Sequence, residues 1–223
     1  MKKKSTPDYF SRYMAIFSLV ISLAAFIFPI FQYYKEQKET TLISIDSMSS
    51  NNDVIITDTN FGDEGRVIQF PWNFTISNSG NRKLSITQYN ITCGNYLGAM
   101  FYSGIKGPLK KINGEIIDLP ITLDAGECIT GIIYVGVIIP QTNYEILNKI
   151  DSKSKIKYID LMKILAKNGF DIYGNKVIYK EYDNDSYKIV IDEEQQKTPI
   201  YWFEFTSGRG EKFIASASTY IGK

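Results

Sequence analysis

Histidine is missing from this chain altogether. That absence removes every Ser–His and Cys–His nucleophile pair and every His-ligated metal, which covers much of known hydrolytic and redox chemistry. Neither sign of charge is in excess, since 25 Lys and Arg stand against 24 Asp and Glu. A net charge of +1 offers no general footprint for nucleic acid, so none is expected as a partner. Proline and glycine, at 7 and 16 residues, are not enriched, and 44% of the chain is hydrophobic. Wholesale disorder and fibrous classes are thereby excluded. Cysteine is scarce, with only Cys93 and Cys128. What is left is an ordinary folding composition over 223 residues, enough for one domain and two at most.

One feature is present in strength. From Tyr13 to Tyr34 the chain reads YMAIFSLVISLAAFIFPIFQYY, 22 residues with no charge between Arg12 and Lys35. As a helix this run is about 33 Å long, sufficient for a hydrocarbon core of about 30 Å. Tyr13 at one end and Tyr33 and Tyr34 at the other suit interfacial aromatic belts, and Pro29 is placed where a kink near the exit is tolerated. A cleaved signal peptide is the alternative, through the small-x-small site Ser22-Leu23-Ala24. The apolar run outlasts the usual 7–15 residues of such a segment, and an uncleaved single-span anchor is expected.

Charge divides the chain unevenly. Residues 1–35 carry five bases against Asp8, for +4, and the remainder carries −3. Lys2, Lys3, Lys4 and Arg12 precede the span; Lys35 and Lys38 follow it, mixed with Glu36 and Glu39. This bias predicts a cytoplasmic N-terminus and an extracytoplasmic domain at the cell membrane. The expected organisation is a basic tail at 1–12, a membrane helix at 13–34, a linker at 35–40 and a folded domain at 41–223.

The domain reads as β-structure. Ile68, Phe70, Trp72, Phe74 and Ile76 alternate with Gln69, Pro71, Asn73, Thr75 and Ser77, describing a strand with one wet face. Pro71 has no N–H, which predicts an edge position or a bulge. In the next run Leu84 and Ile86 point inward, then parity shifts to Tyr89, Ile91 and Cys93, as one inserted residue near Gln88 would produce. Asn113-Gly114 between apolar flanks is a hairpin signal, and CITGIIYVGVII at 128–139 reads as a strand covered on both faces. Tyr158, Leu161, Met162 and Leu165 instead fall at helical spacing, with Ser154 as N-cap and Gly169 as C′ residue. A helical insert is therefore expected at about 143–168, with a shorter helical turn around Tyr144 to Ile150 ahead of this helix. Its apolar side could cap the domain, offer a partner groove, or lie on a bilayer with Lys153, Lys155, Lys157, Lys163 and Lys167 toward headgroups. Strand pairs return at 177–182 with 187–191, and at 200–206 with 213–218. In the last pair Tyr201, Phe203 and Phe205 face the small Ala215 and Ala217. Twelve or so short strands with one helical insert predict a β-sandwich.

Two stretches carry a resemblance. FPWNFTISNSGNRKLSI and ITLDAGECITGIIYVGV, within residues 68–86 and 121–137, resemble the strand–turn–strand and the run into a long strand of immunoglobulin-like domains in bacterial surface and envelope proteins. The likeness implies an immunoglobulin-like β-sandwich that binds, spaces or scaffolds rather than catalyses.

Candidate sites are few. Cys93 and Cys128 could form a disulfide on the outer side of a membrane, or stay as two buried thiols. Asp183-Asn184-Asp185-Ser186, with Glu181, has the alternating oxygens of a Ca²⁺ loop but also suits a polar turn. Asp63-Glu64 and Asp192-Glu193-Glu194 read as solvated surface, because adjacent side chains point apart. Ser207-Gly208-Arg209-Gly210 reads as a hairpin turn. Sequons begin at Asn73, Asn90 and Asn184. No catalytic, cofactor-binding or metal-binding residue is assigned, and no enzymatic activity is expected. The expected partners are the bilayer, through residues 13–34, and a protein or envelope component. The alternative is an accessory or sensor subunit whose membrane helix makes the contact.

Overall fold

A computed structural model describes residues 9–48, 52–147, 156–182, 186–191 and 199–219. The chain is mainly β, its sheets are antiparallel, and one apolar helix precedes them. That helix, α1 (Tyr9–Gln37), takes in the expected span and extends past both ends of it.

The first sheet is centred on β3 (Arg66–Asn78) and β7 (Cys128–Ile139), paired without interruption from Arg66↔Ile139 to Ser77↔Cys128. β5 (Lys106–Lys110) flanks β7, while β1 (Thr41–Met48) and β2 (Ile55–Asn60) share the other side of β3. The second sheet has the order β11 (Lys212–Ser218), β10 (Ile200–Ser207), β4 (Leu84–Cys93), β6 (Ile121–Leu123). The sheets face each other across an aromatic core. Trp72 of β3 meets Tyr201 and Phe203 of β10 with ring centroids 5.8 and 6.1 Å apart. Ile68, Phe70, Trp72, Phe74 and Ile76 are all buried, as their period-2 spacing requires.

Three expectations need correction. Pro71 is on a central strand, opposite Tyr134 of β7. It is tolerated because β1 pairs with β3 from Trp72 onward and β2 only as far as Gln69. The missing N–H falls in the gap between them, so no ladder bond is lost there. Second, the outward face of β3 is not wet along its length. Gln69 is buried and its amide donates to the Gly104 carbonyl at 2.8 Å, leaving Asn73 as the exposed residue of that row. Third, the longer helix of the insert, α3 (Tyr158–Lys167), starts after its expected N-cap, while the shorter helical turn expected ahead of it is present as α2 (Gln141–Leu147). Ser154 lies outside the described residues. The helix starts later because 52–54 and 156–158 bond to each other, through Val54 N to Ile156 O and Tyr158 N to Asn52 O. Gly169 does follow the helix in left-handed conformation, φ 85°.

Other expectations are met. The register between β10 and β4 slips by one residue between Thr206↔Gln88 and Ser207↔Ile86, which makes Thr87 the extra residue. Tyr201 and Phe203 stand opposite Ala217 and Ala215, although Phe205 faces Phe213. β8 (Val177–Glu181) and β9 (Tyr187–Ile191) form a separate two-stranded sheet beside α3. Leu161 and Leu165 are fully buried, and Tyr158 meets Phe70 edge-on at 5.7 Å. The apolar side of α3 therefore caps the core.

Candidate functional site

The first candidate is the apolar helix α1 and its attachment to the sheets. Every described side chain from Tyr9 to Tyr34 is exposed, including Phe10, Phe17, Phe26 and Phe28. This stretch of 26 residues is long and apolar enough to cross a membrane, although a signal sequence passes the same test. At the end of α1 the chain turns directly into β1, and Ser79 N donates to Thr40 O at 3.0 Å. Glu39 folds inward with its side chain only 6% exposed, 3.6 Å from the Arg209 guanidinium in the β10–β11 turn.

Asn78 knits this base together. Its amide donates to the carbonyls of Arg82, Leu123 and Asp124, and its Oδ1 accepts from Gly80 N. Lys83 and Asp124 pair at 3.0 Å across the same two turns. The sequence marked Asn78 only as a turn residue. Its parity, shared with Phe74 and Ile76, is the signal that it points inward.

The second candidate lies at the far end of β4. Ten residues at about 3.3 Å each put it some 30 Å from the base. Beyond Cys93 the uncharged run Gly94–Phe101 exposes Tyr96, Leu97, Met100 and Phe101. The loop is built, not loose. Trp202 Nε1 donates to Gly94 O at 3.0 Å, Gly98 N to Thr92 Oγ1 at 3.1 Å, and Cys93 N to Met100 O at 2.9 Å. Gly94 has φ 127°, and a Cβ there would stand 2.5 Å from that of Ala99. Sequence reasoning missed this surface; the missing charges over eight residues were its only mark.

Beneath the loop is a set of phenols, Tyr201 buried and Tyr102 and Tyr173 half-buried. Tyr102 OH donates to Gly136 O at 2.6 Å, and Tyr173 OH bonds to Thr219 Oγ1. Burial holds Tyr102, Tyr173 and Tyr201 well above the ordinary tyrosine range. Burial likewise pushes the Cys93 thiol up to about 11. These groups stay protonated at neutral pH and serve as hydrogen-bonding core.

The disulfide weighed for Cys93 and Cys128 is not formed: both thiols are free, Cys93 buried and Cys128 exposed. Cys128 pairs with Ser77 near the base, whereas Cys93 ends the strand that begins there at Leu84. A disulfide requires Cα atoms within about 7 Å, far less than the length of β4. Asp63 and Glu64 are exposed on a short 3-10 turn. Asp183-Asn184-Asp185 and Asp192-Glu193-Glu194 lie outside the described residues. Ser207–Gly210 forms the β10–β11 turn, closed by Gly210 N to Ser207 O at 3.0 Å. Asn73 is exposed and Asn90 half-buried; Asn184 lies outside the described residues. Among the described residues no His, Cys, Asp or Glu cluster is able to hold a metal ion.

No protein-family model matches the chain, and neither a curated protein nor a solved structure matches it.

Proposed function

We propose that the chain is a single-span membrane protein, α1 its uncleaved anchor, presenting a non-enzymatic β-sandwich for protein or envelope binding. The observation that carries this reading is the apolar surface of α1, exposed along its whole described length while the domain has a complete core of its own. Such a surface is stable only in a hydrocarbon solvent or against a partner of equal length. The Lys/Arg excess before the span supports a cytoplasmic N-terminus and an outward domain at the cell membrane.

The immunoglobulin-like reading draws support from strand order. β1-β3-β7-β5 matches the A-B-E-D sheet, and β11-β10-β4 the G-F-C sheet, with the helical insert between E and F. β6 then occupies the free edge of β4, out of the usual chain order. The exposed aromatic loop 94–101, at the end away from the anchor, is the surface we assign to a protein partner. Protease applied to intact cells expressing the full chain should digest the domain. Protection until lysis would reverse the topology. Exchanging residues 13–34 for an unrelated apolar sequence should leave partner binding intact. Loss of binding despite normal insertion would move the contact to the helix.

A further inference from the structure

A crevice of about 570 Å³ opens where α1 meets the base of the domain. One wall is apolar, from Phe28 and Phe31; the other is polar, from Ser79 and Asn81, with Lys38 between helix and strand. Among the described residues Lys38 is the only charged side chain lining it. We propose that this crevice seats one anionic phospholipid from the surrounding bilayer, which rests on the membrane-anchor reading above.

Depth supports the assignment. The uncharged run Tyr13–Tyr34 is about 33 Å long as a helix, against a hydrocarbon core of about 30 Å. Arg12 bounds it at one end, so Phe28 and Phe31 fall within the last turns of the core, and Lys38, four residues beyond Tyr34, falls at headgroup level. The crevice spans that boundary. A phospholipid there has its acyl chains along Phe28 and Phe31 and its phosphate toward the Lys38 ammonium. Ser79 and Asn81 add uncharged donors to the same wall, and their turn is held in place by the Asn78 bonds. An anionic headgroup fits a cavity with a lysine and no lining acid among the described residues.

The full chain is reconstituted into vesicles of phosphatidylcholine and phosphatidylglycerol in equal parts. Flotation reports insertion, and native mass spectrometry after mild extraction counts retained lipids. One phosphatidylglycerol per chain should be retained over phosphatidylcholine. Lys38→Ala should weaken that preference about fivefold, the effect of one cation near a membrane surface. Lys83→Ala removes a neighbouring cation already paired with Asp124 and should change nothing. A chain that floats but retains both lipids equally, or loses the preference as much on Lys83→Ala, overturns the lipid site alone. A chain that fails to float overturns the anchor reading as well. Lys38 and Lys83 are exposed, so neither variant threatens folding.

Discussion

α1 and β7 are the two most continuously apolar segments of this chain, and they have opposite fates. Residues 131–137 of β7 are all buried, whereas every described side chain from 9 to 34 of α1 is exposed. Hydrophobicity does not separate them; backbone hydrogen bonding does. A helix satisfies its own N–H and C=O groups, so it can stand alone in lipid. A strand satisfies them only through neighbours, and β7 has β3 and β5 on its two sides. Gly131 shows how close those neighbours come, since a Cβ there would lie 2.5 Å from the Lys110 carbonyl oxygen of β5. Equal apolarity thus leads to a core in one place and to an unpartnered surface in the other.

The largest test of that contrast is to spoil α1 without touching the core. Leu19→Asp with Leu23→Asp places two carboxylates one turn apart, near the centre of the span. Each costs about 2.5–3.5 kcal/mol of insertion, so carbonate-resistant membrane association should be lost. The unfolding midpoint of the domain should not move, because neither side chain is buried. A drop in that midpoint would make α1 part of the core and end the contrast.

Trp72→Ala is the matching test inside the sheets. Trp72 is fully buried against Tyr201 and Phe203, and truncation should cost about 3–5 kcal/mol. Against a typical stability of about 5–15 kcal/mol this is severe, and urea denaturation will measure it. A loss below about 1 kcal/mol would mean that the two sheets do not share this core.

How much of this was legible in sequence depended on whether the cause was local. The alternation from Ile68 to Ile76 fixed both strand and inward face, because a side-chain period of two is a property of the strand itself. The bulge at Thr87 was visible as a parity change. The tolerance of Pro71 was not, because it depends on where two distant strands stop pairing. The late start of α3 was hidden for the same reason: residues 52–54 hold its approach. The base hub at Asn78 was half legible, through parity. The crevice at Lys38 was not, since it joins residues some 40 positions apart that no spacing relates.

The two thiols sharpen the comparison of surface with core at lower energy. Burial raises the Cys93 pKa from 9.0 to about 11, so at pH 8 it is almost wholly thiol, and it is sterically covered. Iodoacetamide should label one site in the native chain, Cys128, and both only after unfolding. The sign of the pH dependence follows. A folded pKa above the unfolded one contributes stability below pH 9 that is lost as pH rises through about 11. Tyr102, Tyr173 and Tyr201, all raised from 10.0, extend that loss to higher pH. The urea midpoint should therefore fall steadily above pH 9. Native labelling at both cysteines would show that the end of β4 is open to solvent.

The smallest expected effect is the most discriminating. Asn73 sits between Trp72 and Phe74 on β3, yet it is exposed while both neighbours are buried. Its side chain projects from the opposite face, beside Ile132 of β7 in the ladder. Replacing it with alanine removes neither core volume nor a backbone bond, so Asn73→Ala should cost under about 0.5 kcal/mol. The step from under 0.5 to about 3–5 kcal/mol across a single peptide bond is a strand signature, because only a period of two sends adjacent side chains to opposite solvents. In a helix, neighbours differ by about 100° and would share part of the loss. If Asn73→Ala destabilises the domain as much as Trp72→Ala, the face has a cover of its own. The outer surface of the first sheet would then be a second core or an occupied interface.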